Sequence, residues 1–397
     1  MRKHRVWWKK AILLLGGLLL FLLFMWAAGP AEVQAAAGPM AGMPCIKCHS
    51  STPDYPILGA RMGYDKSGHK NNGNSAYSNG GGCQQCHTHE GFLEYVAKGS
   101  VNPQGFVRYP SQPGCFTCHA PHETGDMSLR TVKPVTIKTG DVFDLGSGNL
   151  CANCHQARLK ATDLVKPMAA NTISGPWGAH HGPQADMILG KNAFQDPRKS
   201  YSSSPHGIMV QDGCVSCHMS LPEARYGFSP EVGGHSFRLA GEVHEAEKLN
   251  TSGCITCHQD MKQAVGSSDW SKVTSSGGIT WVKRPAVFTI KARADYDQNG
   301  KIEYVQDEVQ GLMDKLVNRN GTGLLQRTAP PFYGPDGAYV GNQFKDIRPL
   351  EQVAALYNYK FVLEDRSRGV HNAIYTIQIL YDTIALMDPN FNMSSRP

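Results

Sequence analysis

The twelve cysteines of the chain all follow one repeated pattern. Each belongs to a Cys-x-x-Cys pair, and every pair is followed directly by a histidine. The six units are Cys45-Ile-Lys-Cys48-His49, Cys83-Gln-Gln-Cys86-His87, Cys115-Phe-Thr-Cys118-His119, Cys151-Ala-Asn-Cys154-His155, Cys214-Val-Ser-Cys217-His218 and Cys254-Ile-Thr-Cys257-His258. Two thiols at this spacing can add to the two vinyl groups of one porphyrin, and the adjacent histidine then reaches the iron. The sequence therefore predicts six covalently bound c-type haems, each with its motif histidine as the proximal ligand.

Other uses of paired cysteines explain the pattern less completely. Zinc sites built from Cys-x-x-Cys pairs would leave six adjacent histidines without a role. A redox dithiol needs one pair rather than six. Six disulfides, the ordinary expectation for an exported chain, would not require a histidine after each pair.

Histidines outside the motifs are the candidate ligands for the opposite face of each iron. Imidazole on both faces lowers the reduction potential and leaves no open coordination position, which favours electron transfer over catalysis. We expect the distal ligands to be His69, His122, His181, His206, His235 and His371. His180, beside His181 in a turn-rich stretch, is an alternative to its neighbour. For His89 and His244 the alternative is a position facing solvent.

The first 35 residues have the composition of an export signal. Five positive charges among residues 1–10 precede an apolar run over 11–28, and Val33-Gln34-Ala35 offers a small-residue cleavage site. The run lies at the boundary between a cleaved signal and a membrane anchor, so both remain open. We expect a periplasmic or extracellular protein, with tethering to the inner membrane as the alternative.

Composition bounds the fold class and the partners. Most of the net charge of +6 lies in the first 35 residues, so the rest of the chain has no basic stripe for nucleic acid. Forty-two glycines and 24 prolines predict a loop-rich chain. The residues available per haem are too few for separate domains, so the haems must share one core.

Two apolar segments near the C terminus have helical periodicity. They cover residues 349–363 and 372–387, with a break at 365–369. The predicted fold is mainly α, a loop-rich multihaem cytochrome c with a shared haem-packed core and two long C-terminal helices. We expect three regions: a signal or anchor (1–35), a hexahaem body (36–260) and a haem-free portion (261–397).

The haem-free portion contains a second candidate ion site. Residues 295–303 match the opening of a calcium loop, with oxygen ligands at positions 1, 3 and 5 and glycine at position 6. The twelfth residue is Gln306, so an acidic residue just beyond it must replace the usual glutamate. The candidate ligands are Asp295, Asp297, Asn299, Lys301 through its carbonyl, Glu303, Asp307 and Glu308. The alternative is an Asx turn that caps a following helix.

Several segments resemble the multihaem cytochrome c superfamily that includes the pentahaem nitrite reductases and the octahaem hydroxylamine-type enzymes. The matching segments are His180-His181-Gly182-Pro183-Gln184, Pro205-His206-Gly207, Gly234-His235-Ser236-Phe237 and Gly369-Val370-His371-Asn372. The resemblance implies that His371 is a distal ligand and that the C-terminal helices pack between protomers of a homo-oligomer. The chain has no Cys-x-x-Cys-Lys unit, the attachment motif of the catalytic haem in the nitrite reductases, so we place it in a non-catalytic branch.

These features predict an exported electron carrier without catalytic residues. Its donor would be a membrane quinol oxidase or a periplasmic cytochrome. Its acceptor would be another redox protein, such as an outer-membrane cytochrome, or an extracellular acceptor. One rival is a reductase of nitrite, hydroxylamine or a sulfur oxyanion with one open haem, and another is a subunit of a haem filament.

Overall fold

The computed structural model describes residues 57–71, 82–120, 127–165, 177–222, 230–243, 246–264, 269–273, 278–283, 286–341 and 348–397. All of them belong to one structural unit, Pro56–Pro397. The signal segment, the first attachment motif (Cys45, Cys48 and His49), His122 and His244 lie outside the described residues. Among the described residues, no helix combines the length and the apolar character needed to cross a membrane.

Helices are short around the attachment motifs and long only towards the C terminus. In chain order they are α1 (Ile57–Lys66), α2 (Gly68–Asn71), α3 (Gln84–His87), α4 (His89–Lys98), α5 (Cys115–Cys118), α6 (Gly148–Ala152), α7 (Ala161–Val165), α8 (Gln184–Leu189), α9 (His206–Met209), α10 (Cys214–His218), α11 (Val305–Leu316), α12 (Leu350–Asp365) and α13 (Ala373–Met387). The loops between them make up much of the described chain, in keeping with its glycine and proline content.

The strands are short and form separate two-stranded antiparallel sheets. They are β1 (Val135–Thr136), β2 (Val142–Phe143), β3 (Ala240–Val243), β4 (Ala246–Leu249), β5 (Gln263–Ala264), β6 (Asp269–Val273), β7 (Ile279–Lys283) and β8 (Val287–Phe288). The pairs are β1 with β2, β3 with β4, β5 with β8 and β6 with β7. In the longest pair, Trp270 lies opposite Val282 and Ser271 opposite Trp281.

The largest side-chain core lies around the last three helices. Leu312 and Leu316 of α11 pack in the same cluster as Leu356 of α12 and Leu380 of α13. Burial on α12 runs from Val353 to Asp365, so this helix is covered on all sides. Most of α13 is buried as well. The single chain thus already buries most of both C-terminal helices.

The connection between α12 and α13 reverses the chain and places His371. Arg366, Arg368 and Gly369 all have positive φ, at 61°, 50° and 88°. Asn372 then caps α13, because its side chain accepts from the backbone N–H of Tyr375. The same side chain donates to the Met187 carbonyl and accepts from the Ser204 N–H. The start of α13 is therefore connected to the segment just before α9, the helix that begins with His206.

Candidate haem sites

Each described attachment motif folds as about one turn of helix. The backbone N–H of the motif histidine donates to the carbonyl of the first cysteine at His87 (3.1 Å), His119 (3.0 Å), His155 (2.9 Å) and His258 (2.9 Å). A helical turn brings residues i, i+3 and i+4 to one side, so both thiols and the imidazole face the same way. None of the ten described cysteines forms a disulfide, so their thiols remain available for thioether attachment.

Each of the five described motif histidines faces an imidazole from a distant part of the chain. The ring centroids are 6.2 Å apart for His87 and His180, 6.1 Å for His119 and His235, 6.2 Å for His155 and His69, 6.2 Å for His218 and His371, and 6.1 Å for His258 and His206. No two pairs share a histidine. The fold therefore forms five separate pairs, each with one motif histidine and one histidine from outside the motifs.

The separation within each pair fits an iron between the two rings. A metal–imidazole bond is about 2.0 Å, and the nitrogen lies about 1.1 Å from its ring centre. Two such halves give a centroid separation of about 6.2 Å. At five sites the described residues therefore place two imidazoles at a separation that would admit one haem iron.

Hydrogen bonds at Nδ1 orient several of these rings. The Nδ1–H of His119 donates to the Met127 carbonyl (2.6 Å), that of His218 to the Phe237 carbonyl (2.9 Å) and that of His206 to the Val370 carbonyl (2.9 Å). Because Nδ1 is occupied as a donor, Nε2 is left as the nitrogen that can bind iron.

The protonation of the rings suits metal binding. Burial lowers the pKa of His69, His180 and His218 to about 4, so these imidazoles are neutral at neutral pH. His371 differs. Its burial lowers the pKa, but the carboxylate of Asp365, 2.7 Å from Nδ1, outweighs that effect and the pKa is raised.

Four of the six histidines expected to be distal ligands lie opposite a motif histidine in the structure. His69, His206, His235 and His371 each face a motif histidine. At the second motif the facing ring is His180, whereas the sequence analysis favoured its neighbour. His181 instead donates from Nδ1 to Glu364 (2.8 Å).

Sequence reasoning could not separate these two neighbours. His180 takes a left-handed backbone conformation, with φ of 67°, that turns it towards His87. Composition gives no sign of that turn. His89 forms a hydrogen bond with Thr117 (2.8 Å) inside the third motif, and no ring contact in the described part pairs it with a motif histidine.

Neighbouring motifs contact one another directly. Gln85, inside the second motif, donates to the carbonyl of Asn153, inside the fourth (3.3 Å). The N–H of Ser147 before the fourth motif donates to Asp212 before the fifth (2.9 Å). Gly253, just before the sixth motif, lies so close to the Ser216 carbonyl of the fifth that a Cβ would not fit. The motifs therefore follow one another in space in the order second, fourth, fifth and sixth.

The candidate calcium loop forms a compact acidic cluster. Carboxylate oxygens of Asp295, Asp297 and Glu308 lie within 4.8 Å of one another. Glu308 is fully buried and accepts from the N–H groups of Tyr296 (2.7 Å) and Asp297 (3.0 Å). Burial, with the nearby charge of Glu308, raises the pKa of Asp297 to about 7.

Two of the remaining loop candidates contact this cluster: the Asn299 side-chain amide donates to Asp297 (3.0 Å), and the N–H of Glu303 donates to Glu308 (2.8 Å). Glu308, two positions beyond the usual twelfth residue, supplies the late carboxylate, and Asp307 is not part of the group. Asn299 and Glu303 are joined by a hydrogen bond of 2.7 Å. The N–H of Lys301 donates to the side-chain oxygen of Asn299 (2.9 Å).

Attachment motifs whose histidines each face a second imidazole are the arrangement of a multihaem c-type cytochrome. The chain is similar to two C-type polyheme cytochromes of Geobacter sulfurreducens. It is 21% identical to OmcB over 370 residues, covering 77% of this chain and 44% of OmcB. It is 22% identical to OmcC over 369 residues, covering 86% of this chain and 42% of OmcC. The chain thus spans less than half the length of these curated relatives.

The chain is also similar to a solved structure. The crystal structure of the outer cell wall cytochrome OcwA matches with 18% identity and a TM-score of 0.44, covering 82% of this chain and 50% of that one. No protein-family model matches the sequence.

Proposed function

We propose that this chain is an exported hexahaem cytochrome that transfers electrons from a membrane or periplasmic donor to a downstream redox partner. The observation that carries the proposal is the set of five imidazole pairs, each containing one motif histidine. When bound, each haem iron supplies one-electron chemistry between its ferric and ferrous states. The paired imidazoles would hold each iron from both sides, exclude small external ligands and favour a low reduction potential.

The contacts between motifs support transfer within the protein. Gln85 with Asn153, Ser147 with Asp212, and Gly253 with Ser216 bring successive attachment turns together without an intervening layer of protein. Electron transfer needs such short separations. A set of isolated sites with independent roles would not need these contacts.

The rival reductase function requires a motif histidine that faces no second imidazole. Every motif histidine within the described ranges faces one, so these five sites favour a carrier over an enzyme. We therefore keep the assignment to a non-catalytic branch of the nitrite reductase and hydroxylamine-type superfamily as part of the proposal.

The location and partners belong to the same proposal. The leader over residues 1–35 supports export, either as a cleaved signal or as an anchor. The donor would be a quinol oxidase or a periplasmic cytochrome, and the acceptor an outer-membrane cytochrome or an extracellular acceptor.

We propose in addition that the acidic cluster of Asp295, Asp297 and Glu308 binds one Ca²⁺ as a structural ion. Two observations support this: the loop has the calcium-type order of oxygen ligands, and its carboxylates converge although Asp297 and Glu308 are buried. Buried carboxylates that face one another repel unless a proton or a cation lies between them.

The proposed electron carrier can be tested on the purified mature protein. We expect a pyridine haemochrome assay to give six haems per chain, and EPR of the oxidised protein to show low-spin signals. Carbon monoxide should leave at least the five described sites of the reduced protein unchanged. Fewer haems, or carbon monoxide binding at most reduced centres, would contradict the proposal.

A further inference from the structure

Phe237 touches three of the paired imidazoles. Its ring packs edge-on against His69, with centroids 5.0 Å apart and planes at 82°. The same ring lies 6.0 Å from His235, with planes at 68°. Its backbone carbonyl accepts from the Nδ1–H of His218 at 2.9 Å.

These three imidazoles belong to three different sites. His69 faces His155 of the fourth motif, and His235 faces His119 of the third. His218 is itself the motif histidine of the fifth. Phe237 therefore contacts one imidazole at each of three sites. Two of these, His69 and His235, come from outside the motifs, and the third, His218, is a motif histidine.

The backbone holds Phe237 in a conformation that a side chain with a Cβ rarely adopts. It ends a 3₁₀ turn (Gly234–Ser236) with φ of 56°, in the left-handed region. Glycine would be less strained at this position. A large aromatic residue in such a conformation is a sign that its contacts offset the strain.

Helix α1, which leads to His69, is fixed on the same turn. A Cβ on Gly63 would lie only 3.1 Å from the Ser236 nitrogen, so glycine permits the close approach of α1. Lys66 at the end of α1 forms an ion pair with Glu231 (2.7 Å). The close approach at Gly63 and the ion pair of Lys66 thus hold the segment that carries His69 against the turn that carries Phe237.

We propose that Phe237 is a shared positioning residue for the haem sites of the third, fourth and fifth motifs. This inference rests on the proposed function and extends it, because it assigns to one residue the orientation of imidazoles at three haem sites. The ring sets the rotation of the His69 and His235 imidazoles, and the carbonyl sets that of His218. Changes in the ring should therefore reach two sites and leave the other described sites as they are.

EPR can follow this rotation because it reports the angle between the two axial imidazole planes. Crossed planes give a highly anisotropic low-spin signal, and more nearly parallel planes give a rhombic one. The planes cross at 81° for His69 with His155 and at 37° for His119 with His235. The two sites should thus give different signals, which His69→Ala and His235→Ala variants would assign by their loss.

The test is a Phe237→Gly variant of the full mature protein with its haems attached. Glycine removes the ring and accepts the positive φ, so the carbonyl that receives the His218 bond stays in place. We expect the signals of the third and fourth motif sites to shift or broaden and those of the other three described sites to remain. Phe237→Tyr, which keeps the ring, should restore the original spectrum. Phe332→Leu, at a buried phenylalanine of the C-terminal core, is the matched control.

Two outcomes would overturn the proposal. One is a Phe237→Gly spectrum identical to that of the original protein, and the other is an equal change at all five sites, which would indicate general loosening. The haem assay on the same samples separates this failure from failure of the electron carrier. If fewer than six haems are present before any substitution, the carrier fails. If six are present and the spectrum does not respond, only the role of Phe237 fails.

Discussion

His180 and His181 are neighbours in the sequence, but the structure gives them different partners. His180 faces His87 of the second motif, and His181 donates to Glu364. We expect His180→Ala to open one axial position and to produce a high-spin ferric signal of one haem per chain. His181→Ala removes an imidazole of the same size from the adjacent position, and the protein should remain low-spin at that site.

The measurement for this pair is EPR of the oxidised protein together with carbon monoxide binding to the reduced protein. The His180→Ala variant should bind about one more equivalent of carbon monoxide than the original. A high-spin signal from His181→Ala and none from His180→Ala would reverse the assignment.

At the fifth motif site a carboxylate lies beside His371, the proposed axial ligand. Asp365 is buried and accepts from the Nδ1–H of His371 at 2.7 Å. Its negative charge makes the imidazole a stronger electron donor and favours the ferric state. We expect Asp365→Asn to raise the reduction potential of this site by about 60 mV, a tenfold change in a one-electron equilibrium.

The control for this change is Glu364→Gln, which removes a charge one residue away. Glu364 is bonded to His181, which faces none of the five described motif histidines, so the potential of the fifth site should stay nearly constant. An EPR-monitored redox titration of the signal that is lost in His371→Ala measures both variants. Equal shifts in the two variants would mean that general charge, and not the bond to His371, sets the potential.

Sequence reasoning and structure differ in what they can say about individual histidines. The proximal ligands follow from covalent chemistry, because the imidazole must lie next to the two thiols that hold the porphyrin. The distal ligands depend on which distant segments fold together. His69, for example, reaches the fourth motif across more than eighty residues of sequence. Spacing along the chain carries no information about such a pairing.

Among the elements, periodicity was informative for long helices and not for short strands. The apolar segments at 349–363 and 372–387 coincide with α12 and α13 to within two residues. The positions of the paired strands between Ala240 and Phe288 were not anticipated, because strands of two to five residues give too little alternation to detect. The attachment turns were predictable, since the motif needs three side chains on one side of the backbone.

Helix α13 is connected to two other segments through a single buried carboxylate. Asp382 accepts from Lys199 (2.6 Å), from Tyr201 (2.6 Å) and from Arg396 through two nitrogens at 2.9 Å each. Removing it would leave the partly buried charges of Lys199 and Arg396 without a counter-charge. We expect Asp382→Ala to lower the free energy of unfolding by about 3 kcal/mol.

Urea denaturation followed by far-UV circular dichroism measures this effect. The matched control is Glu94→Ala, which removes the acid of an exposed pair with Lys98 on α4. That pair should contribute less than about 0.5 kcal/mol. A loss at Asp382 no greater than the loss at Glu94 would show that the buried contacts do not hold α13 in place.

At the scale of the whole molecule, we expect apolar side chains to fill one part of the interior and haems to fill the rest. In the described part, the large cluster of buried apolar side chains gathers around α11, α12 and α13, and the smaller cluster beside the fourth motif holds only residues such as Val135, Ile137 and Phe143. Composition indicated this division, since the chain is short for six separate domains. It could not indicate where the side-chain core would form.

The loop that holds the acidic cluster contacts the end of the chain, so binding of calcium there would affect the packing of distant segments. Gln298 donates to the carbonyl of Asn392 (2.7 Å), and the hydroxyl of Tyr381 on α13 donates to the carbonyl of Tyr296 (2.7 Å). An ion held by this loop would therefore stabilise the packing of α11 against α13 and the C-terminal tail.

Calcium removal tests this directly. An ion that binds only the folded state stabilises it by about 2.7 kcal/mol at one hundred times its dissociation constant, so chelation with EGTA should lower the unfolding temperature and added Ca²⁺ should restore it. Asp297→Asn weakens a central ligand and should abolish the response to calcium while leaving the haem content unchanged. Asp336→Asn, at a surface turn outside the cluster, should respond as the original protein does. If the unfolding temperature is the same with EGTA and with Ca²⁺, the cluster does not bind calcium, and the carboxylates of Asp297 and Glu308 must instead be kept together by a proton.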